Sequence, residues 1–97
     1  MKYEGKYVVR MDRAGVFFGE IKEADENHII MTNVRKLWFW AKASAVEQLA
    51  VDGEGDSENA KYTLVIEELE MYDKPIQILK CTDKAEKSLS EVPAWKM

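Results

Sequence analysis

The chain has 97 residues, of which 46% are hydrophobic and 33% are charged, and its formal net charge is -4 at pH 7. This length predicts a single domain over residues 1–97, and the composition excludes an intrinsically disordered chain. The acidic balance argues against nucleic acid as a partner, because phosphate binding is driven by a basic surface.

The first part of the chain predicts a three-stranded meander. Residues 6–11 and 16–23 are rich in β-branched and aromatic side chains, which is typical of strands. Gly15 suits a left-handed position in the loop between them, and Gly19 indicates a bulge or a close backbone approach. After a polar turn, residues 28–34 are predicted as a third strand that continues or bends into an aromatic run.

A short helix is predicted next. Ser44 and Glu47 fit a capping box, in which the serine caps the helix and the glutamate follows three residues later. Residues 45–50 supply the apolar stripe, and Gly53 is expected just beyond the end of the helix. The following stretch to residue 60 is small, acidic and glycine-containing, and it is interpreted as a solvated loop.

The last part of the chain predicts two strands and a second helix. The strands are expected at residues 62–71 and 76–79, and Thr82 is expected to cap a helix over residues 83–90. Trp95 is expected to fold back on the domain. The predicted fold is α+β, with a small curved antiparallel sheet or partly open barrel of about five strands and two short helices, in the order β-β-β-α-β-β-α.

The sequence contains no catalytic constellation. His28 is the only histidine and Cys81 is the only cysteine, so a disulfide within the chain is excluded. A calcium loop starting at Asp52 would need glycine at its sixth position and glutamate at its twelfth, but these positions hold Ser57 and Thr63. We therefore expect no enzyme, no catalytic residues, no metal and no cofactor.

The N-terminal residues and the hydropathy indicate where the protein resides. Residues 1–6 are charged and lack the apolar segment of a signal peptide. No apolar run approaches the roughly 20 residues that a membrane span requires. We expect a cytoplasmic protein with no membrane partner.

The most informative feature is the aromatic run Arg-Lys-Leu-Trp-Phe-Trp at residues 35–40. If this segment is extended, Trp38 and Trp40 share one face, while Leu37 and Phe39 share the other. One face is expected to enter the core, so the other face must be covered by something else.

Three coverings for the second face stay open. The first lies within the chain, where the helix over residues 45–50 or Trp95 could pack on it. The second is another copy of the chain, since large exposed aromatic patches mark interfaces. The third is a flat anionic molecule stacked on tryptophan, with a basic side chain holding its phosphate. The candidate binding residues are Arg10, Arg35, Lys36, Trp38 and Trp40.

Several segments together resemble a family of small uncharacterised proteins encoded by tailed phages and prophages. They are residues 14–19 (Ala-Gly-Val-Phe-Phe-Gly), 35–40, 43–53 (Ala-Ser-Ala-Val-Glu-Gln-Leu-Ala-Val-Asp-Gly), 81–86 (Cys-Thr-Asp-Lys-Ala-Glu) and 92–95 (Val-Pro-Ala-Trp). The resemblance implies a phage origin and a cytoplasmic life in an infected or lysogenic bacterium. It brings no established activity and no functional residues.

Two modes of binding are therefore expected for a non-enzymatic accessory protein. In the first, the aromatic segment and its neighbouring strands form a homo-oligomer or dock on a host or virion protein. In the alternative, an anti-defence protein sequesters a nucleotide-like immune signal, using Trp38, Trp40, Arg35 and Lys36. The first mode is favoured, because the second needs a pocket that the sequence does not demonstrate.

Overall fold

The computed structural model describes residues 2–41, 43 and 45–95, and it confirms the α+β class with an antiparallel sheet and two short helices. The strands are β1 Tyr7–Met11, β2 Val16–Asp25, β3 His28–Phe39, β4 Lys61–Tyr62, β5 Ile66–Met71 and β6 Pro75–Lys80. The helices are α1 Val46–Asp52 and α2 Asp83–Glu91. Over these described residues the sheet has six strands, where about five were predicted.

The extra strand arises because the predicted strand over residues 62–71 is interrupted at Thr63. The N–H of Thr63 donates to the carbonyl of Lys36 at 3.0 Å, as in an ordinary ladder. The N–H of Lys36, however, donates to the Thr63 hydroxyl at 2.8 Å, and the Thr63 carbonyl accepts from Arg35 Nε at 2.9 Å. A side chain thus replaces the backbone in the ladder, and β4 and β5 pair separately with β3.

The sheet is curved, because the connection between β5 and β6 is too short to join these strands in a flat sheet. The strand order is β4-β3-β2-β1-β6, with β5 also beside β3. In a flat sheet β5 and β6 would lie four strand spacings apart, or roughly 19 Å. Only residues 72–74 join these two strands, and the link from residue 71 to residue 75 reaches at most about 14 Å. The two edge strands must therefore approach each other.

At Gly19 the backbones of β2 and β3 approach each other closely, as the sequence predicted. A Cβ at Gly19 would lie 2.7 Å from Val34 Cα, which no other residue type could tolerate without backbone movement. The β2–β3 register shifts between Phe18 and Glu20, and Asn33 on the opposite strand has a φ of 45°. These irregularities bend the pair and contribute to the curvature.

Strand alternation sends apolar side chains into two separate cores. The helix-side core, which lies beneath α1 and α2, includes Val8, Phe18, Leu37, Leu49, Tyr62 and Leu89. The inner core, on the other face of the sheet, includes Val9, Phe17, Ile21, Ile29, Met31 and Val34. Because Val8 and Val9 are both 0% exposed, β1 is buried on both faces and joins the two cores.

The first helix begins differently from the prediction. Ala45 occupies the N-cap position of α1, and its side chain makes no capping hydrogen bond. The N-cap position thus lies one residue later than predicted; Ser44, on which the predicted capping box depends, lies outside the described residues, so the box itself stays a prediction. Gly53 ends the helix as predicted, with its N–H donating to the Leu49 carbonyl at 3.0 Å.

The second helix begins as the sequence predicted. The Thr82 hydroxyl accepts a hydrogen bond from the Ala85 N–H at 3.1 Å, and Asp83 lies in the first turn. The same hydroxyl donates to the Val51 carbonyl at 2.6 Å, which ties the start of α2 to the end of α1. Within the described ranges, neither helix is long and apolar enough to cross a membrane.

Candidate functional site

The end of β3 contains a bulge that separates the two neighbouring tryptophans. Pairing with β4 passes from Leu37 to Phe39, so Trp38 is the extra residue. Trp38 is 56% exposed, whereas Trp40 is partly buried against the helix-side core. Leu37 is buried and Phe39 is 50% exposed. The predicted faces, with Trp38 beside Trp40 and Leu37 beside Phe39, are therefore wrong, because simple alternation does not survive the bulge.

Trp95 folds back onto this end of the sheet, as predicted. Its N–H donates to the Tyr62 carbonyl at 2.8 Å, and Ala94 forms a parallel bridge to Tyr62. The ring centroids of Trp95 and Trp38 are 4.7 Å apart, with an interplanar angle of 39°. Both indoles keep a large exposed area, since Trp95 is 39% exposed.

A lysine lies among the exposed rings. Lys61 Nζ is 5.6 Å from the ring centroid of Trp38, 5.9 Å from that of Phe39 and 5.2 Å from that of Trp95. Such distances permit cation–π attraction. We call these four residues, Trp38, Phe39, Lys61 and Trp95, the aromatic surface.

A cleft of about 320 Å³ opens beside the aromatic surface. It is lined by Lys36, Trp38, Lys61, Tyr62, Thr63 and Trp95. Its volume is at the lower end of the range for small-molecule and side-chain pockets, about 300 to 1,000 Å³. Tyr62, which is 0% exposed, forms a rigid part of the wall.

Arg35 lies beneath this site rather than on it. Its side chain is buried, with Nη1 donating to the Val92 carbonyl at 2.7 Å and to the Leu89 carbonyl at 3.2 Å. The guanidinium also lies 5.2 Å from the centroid of the Tyr62 ring. Burial lowers the pKa of Arg35 from its ordinary value. The guanidinium caps the carbonyls at the end of α2 and so fastens this helix to the sheet.

A buried carboxylate supports the wall of the cleft from the other side. The Tyr62 hydroxyl donates to Glu54 Oε1 at 2.9 Å, and the N–H groups of Ala41 and Asp56 donate to Glu54 Oε2 at 3.1 and 3.2 Å. Burial, together with this hydrogen bond, raises the pKa of Tyr62 well above its usual range. Sequence reasoning missed Glu54, because nothing local distinguishes it from the other acidic residues of its loop.

The five predicted binding residues are not brought together. Lys36 and Trp38 line the cleft, Trp40 packs on the helix-side core, and Arg35 is buried below. Arg10 is exposed on β1, where its register partners are on β2 and β6, and it is not among the residues that line the cleft. Lys61 was missed, since only the pairing of β4 with β3 places its ammonium among the rings.

A family model described as a domain of unknown function, DUF6948, matches residues 5–89. The chain belongs to this family. No curated protein and no solved structure matches it. The DUF6948 match includes Trp38, Phe39 and Lys61 but ends before Trp95, so one indole of the aromatic surface lies beyond the matched residues.

The reactive side chains of this DUF6948 protein are engaged elsewhere. Cys81 is buried, which raises its thiol pKa to about 12 and keeps it protonated at neutral pH. His28 Nε2 lies 2.6 Å from Glu70 Oε2, and its ring is 4.9 Å from that of Tyr72. Among residues 2–41, 43 and 45–95, no three histidine, cysteine or acidic side chains are grouped so that they could hold a metal ion.

Proposed function

We propose that this protein is a non-enzymatic accessory protein of a tailed phage or prophage that acts in the bacterial cytoplasm by binding another protein. The resemblance of its aromatic run and its other quoted segments to phage-encoded proteins supports the origin. The observation that carries the binding role is the aromatic surface, where Trp38, Phe39 and Trp95 are 56%, 50% and 39% exposed.

Exposing aromatic rings to water is unfavourable, and folding of the single chain leaves these rings exposed. Single exposed apolar residues are common on monomers, but contiguous aromatic area marks an interaction site. Tryptophan and phenylalanine are enriched at protein interfaces, where tryptophan often dominates the binding energy. Leu64 and Val65, which follow Thr63 of the cleft in the chain, are also exposed, at 64% and 54%.

The partner is a second copy of the chain or a host or virion protein. Light scattering after size-exclusion chromatography, over a range of concentrations, tests the first. We expect oligomers that Trp38→Ala dissociates and that Ile76→Ser leaves intact, since Ile76 is an exposed apolar residue on β6, outside the aromatic surface. A wild-type monomer at high concentration would exclude self-association and leave the host or virion partner.

Site-specific photo-crosslinking tests that second partner in infected cells. A photoreactive residue at position 39 is expected to capture one protein reproducibly, whereas the same residue at position 76 captures none of it. Loss of the adduct in the Trp38→Ala background would tie capture to the aromatic surface. Equal capture from both positions, or none from position 39, contradicts the proposal.

The cleft favours one second candidate, in which the protein sequesters a nucleotide-like immune signal as an anti-defence protein. The supporting observation is that two indoles and two lysines, Lys36 and Lys61, line the same cleft. Stacking on tryptophan and charge attraction to phosphate would hold such a ligand. Titration with cyclic and linear nucleotides should then quench tryptophan fluorescence to saturation, and a flat titration across a broad panel contradicts it.

A further inference from the structure

We propose that the segment bound by the aromatic surface is acidic: a carboxylate of the partner protein pairs with Lys61, and an apolar side chain next to it fills the cleft. This inference rests on the proposed function, because it names the chemistry of the protein partner at the same site. It follows from three features of the site, which are its unpaired charge, its engaged hydroxyl groups and its apolar margin.

The first feature is positive charge without a counterion. Neither Lys36 nor Lys61 forms a salt bridge with any carboxylate of the described residues. Of the described residues, the six that line the cleft include these two lysines and no aspartate or glutamate, although the whole chain has a net charge of -4. A cation held over aromatic rings is already partly desolvated, so an incoming carboxylate meets a directed positive group.

The second feature is that the hydroxyl groups of the cleft are engaged. The Thr63 hydroxyl accepts from the Lys36 N–H at 2.8 Å and donates to the Leu64 carbonyl at 3.0 Å. The Tyr62 hydroxyl is buried and donates to Glu54. These groups are therefore not offered to the polar edge of a nucleobase, whereas the rings around them suit an apolar side chain.

The buried position of Arg35 also favours a carboxylate over a phosphate group as the ligand. A guanidinium binds phosphate through two parallel hydrogen bonds, while a lysine ammonium acts as a single point charge. Because Arg35 donates to the carbonyls of Thr63, Leu89 and Val92, it provides no such fork at the surface. A single ammonium over aromatic rings, that of Lys61, matches a carboxylate beside an apolar side chain better than it matches a phosphate group.

The third feature is the apolar margin. Leu64 and Val65 continue from the cleft along the chain and are more than half exposed. Because they directly follow Thr63, which lines the cleft, they supply exposed apolar side chains within two residues of it. This extent favours a segment of polypeptide over a single small molecule.

Selection from a library of short random linear peptides tests the inference, with Trp38→Ala protein used to remove background binders. We expect the selected sequences to place aspartate or glutamate next to a large apolar or aromatic residue. Their affinity should fall at least about tenfold in Lys61→Gln, the loss expected when a hydrogen bond to a charged group is removed. Raising the salt concentration should weaken binding in the same direction.

Two further variants keep the result interpretable. Lys87→Gln removes an equal charge from α2, outside the cleft, and is expected to bind like the wild type. Lys36→Gln removes the second cleft lysine and should also weaken binding, which guards against a folding defect specific to Lys61→Gln. Thermal melts of all three variants establish that each is folded.

The outcomes separate the inference from the proposed function. Neutral or basic peptides that require Trp38 but ignore Lys61→Gln overturn the acidic partner and leave the aromatic surface as the docking site. If every peptide that binds the wild type also binds the Trp38→Ala protein, so that removal of background binders leaves none, both are overturned. Saturable nucleotide binding that requires Trp38, without any selected peptide, overturns both in favour of a small-molecule ligand.

Discussion

The Tyr62 hydroxyl donates a hydrogen bond to Glu54 Oε1 at 2.9 Å, inside the helix-side core. On its other side the ring of Tyr62 faces the Arg35 guanidinium at 5.2 Å. Tyr62 therefore stands between a buried anion and a buried cation, each of which also binds backbone groups. The wall of the cleft is thus held by polar contacts as well as by apolar packing.

Removing the Tyr62 hydroxyl should destabilise the protein. Tyr62→Phe leaves the buried Glu54 carboxylate with one partner fewer, so we expect a loss of about 1 to 3 kcal/mol in the free energy of unfolding, measured by urea denaturation. Tyr72→Phe is the matched control, because Tyr72 is 82% exposed. Equal losses in the two variants would show that the Tyr62–Glu54 hydrogen bond stabilises the protein no more than an exposed tyrosine hydroxyl does.

Two arginines that looked alike in the sequence should respond differently to substitution. Arg35→Leu removes the donors to the Leu89 and Val92 carbonyls and leaves them unpaired near the end of α2. We expect a loss of about 2 to 4 kcal/mol in the free energy of unfolding. Arg10→Leu, at the exposed position near the end of β1, should change it by no more than about 0.5 kcal/mol. A neutral Arg35→Leu would contradict a capping role.

The two tryptophans of the aromatic run should also differ in how much stability is lost when each is replaced by alanine. Trp40 is partly buried against the helix-side core, so Trp40→Ala should cost about 2 to 3 kcal/mol of stability, less than the about 3 to 5 kcal/mol of a fully buried aromatic. Trp38→Ala should cost about 1 kcal/mol or less, because it loses mainly the ring contact with Trp95. Chemical denaturation of both variants measures this, and the reverse order would contradict the exposure of Trp38.

Cys81 should make the protein less stable at high pH. Its thiol pKa is raised to about 12 in the folded state, against about 8.5 in an unfolded chain. The thiol therefore contributes no pH dependence below about 8.5, and stability falls as the pH rises from there towards the folded value, because only the unfolded chain then ionises. Melting temperatures at neutral and alkaline pH measure this for wild type and Cys81→Ala.

Other groups also titrate at alkaline pH. The quantity to compare is therefore the difference in melting temperature between wild type and Cys81→Ala at each pH. A smaller alkaline loss in Cys81→Ala is expected. Parallel curves for the two proteins would show that the burial of Cys81 does not affect its ionisation. A thiol reagent should label native Cys81 slowly and urea-unfolded Cys81 rapidly at the same pH.

Features encoded by neighbouring residues were predictable from the sequence, and features that depend on distant pairing were not. The Thr82 cap and the Gly19 irregularity each follow from one residue and its neighbours, and both were confirmed. The exposure of Trp38 depends instead on β4, which lies more than 20 positions further along the chain. No local pattern indicates that two residues of β3 separated by one position pair with adjacent residues of β4.

The burial of Glu54 escaped prediction for a similar reason. Its loop has the composition of a solvated segment, and its partners Tyr62 and Ser88 come from other elements. The interruption at Thr63 likewise depends on a hydroxyl that takes the place of a carbonyl in the ladder with Lys36. Both features are polar contacts between segments that are distant in sequence, and hydrophobic periodicity carries no information about such contacts.

The bulge at Trp38 makes the length of this segment as important as its composition. Leu37 and Phe39 pair with adjacent residues of β4, so removing the extra residue would leave their pairing in place and take away the exposed indole of Trp38. A relative with one residue fewer between Leu37 and Trp40 would lose one of the exposed rings, Trp38 or Phe39, and present a different surface. Across the DUF6948 family, insertions and deletions at this point are therefore the changes to examine first when binding partners differ.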